Sequence, residues 1–123
     1  MLDSKTVPIV EECSYRALDL AAAVEAYEGC VAGPVASLGE VIALLESETV
    51  AAAIVDCDAC DGDCCALVRL LSDRGMPIVF QASTGMPQQL ADLHGRVTVL
   101  HKPVDPRLVL DSLINDIGSA GEP

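Results

Sequence analysis

Short apolar runs of strand length alternate along this chain with longer amphipathic stretches, and that alternation leaves few folds open. The runs fall at 6–11, 30–34, 50–56, 77–82 and 96–100. All but the second are continuously apolar, the pattern of strands covered on both faces. Five helices are predicted between and after them. The first follows Cys13, with Ser14 as its N-cap. It turns Ala17, Leu18, Ala21, Val24 and Ala26 or Tyr27 to a sheet and closes at Gly29. The second runs from Ser37 through Val41, Ile42, Leu44 and Leu45, and the third from about Asp63 through Leu67, Leu70 and Leu71 to Gly75. A short fourth lies near 87–94. The fifth, 106–117, has Asp105 as cap, Pro106 in its first turn and Leu108, Leu110, Leu113, Ile114 and Ile117 as apolar positions. Strands alternating with crossover helices form a parallel sheet with right-handed connections, an α/β architecture.

A chain of 123 residues is one domain with one core. With one Phe and no Trp, that core must be built from Ala, Val, Leu and Ile. The formal charge of -12 repels phosphate backbones and anionic headgroups, which excludes nucleic acid and membrane surfaces as partners. The start, Met1 to Lys5, lacks the basic and apolar regions of a signal peptide. No apolar stretch reaches the roughly 20 residues that span a bilayer. The expected location is the cytoplasm, where the six cysteines are thiols.

In parallel α/β sheets, ligands bind outside the carboxyl ends of the strands. Glu11 and Glu12, Asp56, Ala82 with Ser83, and Lys102 all stand at such ends and should line one crevice. Three carboxylates gathered there need a cation to stay ionised together. The segments Val10-Glu11-Glu12, Ile54-Val55-Asp56 with Asp58, Asp61 and Gly62, Pro77 to Phe80, and Leu100-His101-Lys102-Pro103 resemble the successive motifs of response regulator receiver domains. The match covers nearly the whole chain, and its force lies in the order and spacing of the motifs.

That resemblance implies a flavodoxin-like (βα)5 doubly wound fold, five parallel strands in the order 2-1-3-4-5, with the receiver over 1–118 and a flexible tail over 119–123. It implies Asp56 as phosphoacceptor and Mg²⁺ as cofactor, held by Glu12, Asp56 and the backbone carbonyl of Asp58, with Glu11 acting through water. Lys102 would pair with the acid and then with the phosphoryl oxygen, and Pro103 resembles the family's cis proline. The implied donor is a histidine kinase or histidine phosphotransfer protein. No output domain is expected to follow, so the effect would pass by binding another protein or by drawing phosphoryl groups away from another receiver. The chain would not be an enzyme beyond its own phosphorylation and dephosphorylation. The resemblance leaves open a homodimer through the last two helices and the last strand.

Three positions depart from the family pattern. Glu12 is one methylene longer than the usual Asp, which should weaken the metal. Ala82 stands where a Thr or Ser hydroxyl binds the phosphoryl group; Ser83 substitutes only if the strand has already ended. Val99 replaces the aromatic switch. These departures keep an alternative in view, a pseudo-receiver that binds partners without phosphorylation.

The plainer readings are Asp56 as a loop acid, Glu11 and Glu12 as a solvated pair, and Lys102 as a surface lysine; the four-segment match outweighs them. Cys57, Cys60, Cys64 and Cys65 suggest a further alternative, a thiol redox or metal sensor. Free cysteine is more often a small buried hydrophobe, and 64 and 65 open a helix on diverging faces. Cys13 adjoins the acidic pair and Cys30 belongs to the second strand. His94 and His101 have no partner at ligand spacing.

Overall fold

The computed structural model describes residues 2–11, 14–35, 38–47, 50–56, 62–82, 92 and 97–120; the side chains of 14, 34, 35, 38, 47, 62–64, 119 and 120 are outside that description. Five strands, β1 (Thr6–Val10), β2 (Cys30–Val35), β3 (Ala53–Asp56), β4 (Ile78–Ala82) and β5 (Val97–His101), alternate with α1 (Ser14–Ala26), α2 (Leu38–Ser47), α3 (Gly62–Asp73) and α4 (Pro106–Ala120). Every strand pair is parallel and the order is β2-β1-β3-β4-β5, as the resemblance implies. The register of β1 on β2 shifts between Pro8 and Val10. Gly33, at φ 97°, falls in that irregularity, a conformation open to glycine.

Strand alternation divides the core into two layers. Val55, Ile78, Phe80 and Ala82 pack under Val41 of α2 and Leu67, Val68 and Leu71 of α3. Val7, Ile9, Ile54 and Val79 pack under Leu20 and Val24 of α1 and Val109, Leu110 and Leu113 of α4. A branched aliphatic core thus covers both faces of the sheet, and the chain's one phenylalanine is fully buried.

Several sequence expectations need correction. Leu18 is 67% exposed, and the buried stripe of α1 runs through Ala17, Leu20 and Val24 instead. Leu108 is half exposed and Val109 takes its place in the core; Ile42 is also exposed. The last helix, expected to end at Ile117, continues over Gly118 to Ala120. Leu2 is buried, its amide donating to the carbonyl of Tyr27. The short helix expected near 87–94 lies outside the described residues.

Candidate functional site

Asp56 ends β3 on the α1 side of the sheet, because Ile54 belongs to the layer under α1 and α4 and Val55 to the opposite one. Its side chain is 3% exposed. A buried carboxylate remains charged only if it is paired and hydrogen-bonded. Lys102 Nζ donates to Asp56 Oδ1 at 2.5 Å, and Arg16 Nη1 donates to Oδ2 at 3.4 Å. Each carboxylate oxygen therefore has its own cation. The Lys102 side chain is only 8% exposed, so this pair is weakly screened and carries the larger share; Arg16, 54% exposed, is screened by water and contributes less.

The elements explain how these side chains meet. Lys102 follows β5, and its backbone N–H donates to the carbonyl of Ala82 at 2.9 Å, tying it to the end of β4. The Lys102–Pro103 peptide bond is cis. Glu11 follows Val10, the register partner of Val55, so Glu11 and Asp56 stand side by side at adjacent strand ends, both buried. Ala82 ends β4 inside the layer under α2 and α3 and offers no hydroxyl. Val99 packs against that same layer.

The sequence expectations of Asp56, Lys102 and Glu11 at one strand edge are thus met in space. Glu12, Asp58 and Ser83 lie outside the described residues, as do Cys13, Cys57, Cys60 and His94. Cys30, exposed on β2, and Cys65, half-buried on α3, stand on separate elements. His101 is exposed at the end of β5.

Sequence reasoning missed two residues. Arg16 sits in the first turn of α1, where the helix dipole disfavours a cation. A base in that unfavourable place, just after two acids, is a signal that it answers a nearby negative charge. Gln81 is the register partner of Asp56 and is 94% buried by its 6% exposure, an amide in an otherwise apolar strand.

No family model matches the sequence, and no curated protein does. Solved structures do resemble it. A response regulator receiver protein from Sinorhizobium medicae superposes with a TM-score of 0.79 at 18% identity, covering 98% of this chain and 99% of that one. The chain has the response regulator receiver fold. A CheY-like response regulator receiver domain protein from Methanospirillum hungatei (TM-score 0.78, 20% identity, 94% of this chain and 95% of that one) shares the receiver fold. A sensor protein from Polaromonas is similar to the same degree, at TM-score 0.78 and 23% identity over 95% of this chain and 98% of that one. In this fold the acidic strand edge, Asp56 and Lys102 occupy the carboxyl side of the sheet.

Proposed function

We propose that this receiver domain takes a phosphoryl group from a phosphohistidine onto Asp56, with a divalent cation, and signals by binding another protein. The observation that carries the reading is the buried Asp56 carboxylate held between Lys102 and Arg16 at the carboxyl edge of a parallel sheet. In the transfer, an Asp56 oxygen attacks phosphorus in line, the P–N bond to histidine breaks, and its electron pair stays with the imidazole, which takes up a proton. The product is an acyl phosphate. The barrier is dominated by bringing a carboxylate to a centre ringed by negative oxygens, so fixed positive charge is what the site must supply. Lys102 and Arg16 supply two such charges.

Glu11 and Asp56 are hard oxygen donors on adjacent strands, the ligand chemistry that suits Mg²⁺. They would hold the ion, with Glu12 and Asp58 as the further donors that the resemblance implies. Bound there, the ion would add positive charge against the phosphoryl oxygens. Among the described residues no group of three His, Cys, Asp or Glu could hold a metal by itself. Glu12, one methylene longer than the Asp that the resemblance implies, would weaken the binding.

A histidine kinase or histidine phosphotransfer protein is the proposed donor. Tyr15 and Leu18 on α1 and Leu108 on α4 are exposed, and these two helices pack against each other, which leaves apolar surface on that side for a protein partner. Incubation with a phosphorylated histidine phosphotransfer protein tests the reading. Label should move to this chain, be released by hydroxylamine as an acyl phosphate is, and fail to appear on Asp56→Asn. Transfer that persists in Asp56→Asn would refute the assignment.

A pseudo-receiver is the second reading, favoured by the missing hydroxyl at Ala82 and by Arg16 on the second oxygen of Asp56. Millimolar Mg²⁺ discriminates the two. Phosphotransfer predicts a rise in Tm that Asp56→Asn abolishes, and the pseudo-receiver predicts no rise.

A further inference from the structure

A cavity of about 140 Å³ lies between α1 and the turn from Lys102 to Pro106, far more space than one water needs. Arg16, Leu20, Gln81, Lys102, Val104 and Pro106 line it. Gln81 is the informative member. It is more than nine-tenths buried, and among the described residues no acceptor meets its Nε2. Its neighbours Ile78, Val79, Phe80 and Ala82 are all buried and apolar, so a leucine of similar shape would suit the strand and carry no unmet donor. A buried donor without an acceptor is costly, and the cost disappears when a ligand accepts from it.

We infer that this cavity binds a small aliphatic carboxylate. Its oxygens accept from Gln81 Nε2 and share the field of Arg16 and Lys102, while its chain lies on Leu20, Val104 and Pro106. Uncharged acceptors answer the amide equally well, but two cations on the same wall favour a charged one. Asp19, which is exposed and also lines the cavity, opposes an anion. With so few ligand atoms, the dissociation constant is on the order of millimolar.

The site has a consequence for Asp56. Arg16 and Lys102 line the cavity and also hold the two carboxylate oxygens of Asp56, so a bound carboxylate competes with Asp56 for both cations. Binding itself is independent of phosphorylation. Its effect on labelling rests on the phosphoacceptor reading, in which the ligand slows transfer by drawing charge from the acceptor.

Butyrate is the probe. Sodium butyrate is titrated into the ¹⁵N-labelled chain while the side-chain amide pair of Gln81 is followed, with sodium chloride and butanol as controls. That pair is assigned by its loss in Gln81→Leu. The inference expects a saturable displacement with a millimolar constant, seen with neither control. In Gln81→Leu the backbone shifts around Leu20 and Val104 should vanish while Tm is unchanged or raised. Val104→Phe, which fills the cavity from a half-buried position, should also abolish binding and covers the case in which Gln81→Leu does not fold. Asp56→Asn should bind butyrate several-fold more tightly, because the Asp56 charge no longer competes for Arg16 and Lys102. No saturable displacement of the Gln81 pair, or equal backbone shifts in Gln81→Leu, overturns the site. An unchanged constant in Asp56→Asn overturns the coupling. Failure of phosphotransfer with butyrate binding intact counts against the phosphoacceptor reading alone.

Discussion

Arg16 is the residue whose removal says most about the proposed transfer to Asp56. A donor aimed at developing charge in a closed site is worth about 100- to 1,000-fold in rate. Arg16 is half exposed and its contact is long, so Arg16→Ala should slow phosphotransfer by only about tenfold, or roughly 1.4 kcal/mol of barrier. Arg16→Lys should recover part of that, since an ammonium keeps the charge and loses the planar fork. Single-turnover labelling at saturating donor measures both. Lys102→Ala should cost more, because Lys102 is buried with the acid and makes the shorter contact. Asp56, Lys102 and Glu11 were legible in the sequence because each closes or follows a strand, and a parallel sheet gathers strand ends at one edge. Arg16 and Gln81 were not. Each reaches the site by the direction of its side chain, which becomes visible only when α1 and β4 are set against β3.

Helix α4 carries the clearest test at the scale of an element. Leu113 is fully buried under the sheet and Leu108 is half exposed on the same helix. Leu113→Ala should cost about 2–5 kcal/mol in denaturant unfolding, and Leu108→Ala within about 0.5 kcal/mol. The helix starts at a cap, where the Arg107 backbone N–H donates to Asp105 Oδ1 at 2.8 Å. Hydrogen bonds from the Arg107 side chain and then its backbone hold the Asp105 carboxyl below the usual aspartate range. A carboxyl depressed on folding stabilises above its unfolded pKa, and that contribution fades as pH falls through the folded one. Asp105→Ala should therefore lower Tm near neutral pH, with the difference from wild type closing in acid. Tyr27 on the neighbouring side carries the opposite sign. Its hydroxyl donates to Asp111 at 2.9 Å and its pKa is raised by that bond, so this link between the turn after α1 and α4 weakens as pH climbs above the ordinary tyrosine range.

Element positions were readable because strand runs and cap residues are local signals. The buried faces were readable less completely. In the alanine-rich α1, stripes through Leu18 and through Leu20 fit the helical period nearly as well, and only the sheet beneath chooses Leu20.

For the whole molecule, a charge of -12 on one small fold makes self-repulsion part of its stability. Raising the ionic strength from about 0.01 M to about 0.15 M shortens the screening length from about 30 to about 8 Å and should raise Tm, with the buried Lys102–Asp56 pair little affected. Phe80 anchors one of the two layers, and Phe80→Ala should remove about 3–5 kcal/mol from a total on the order of 5–15. The most direct test of the central claim is intact mass after incubation with a small-molecule phosphodonor and Mg²⁺, comparing wild type, Asp56→Ala and an EDTA control. Transfer to Asp56 predicts the gain of one phosphoryl group in wild type and none in the mutant or with EDTA. An unmodified wild type at high donor concentration, or a gain that survives in Asp56→Ala, would contradict it.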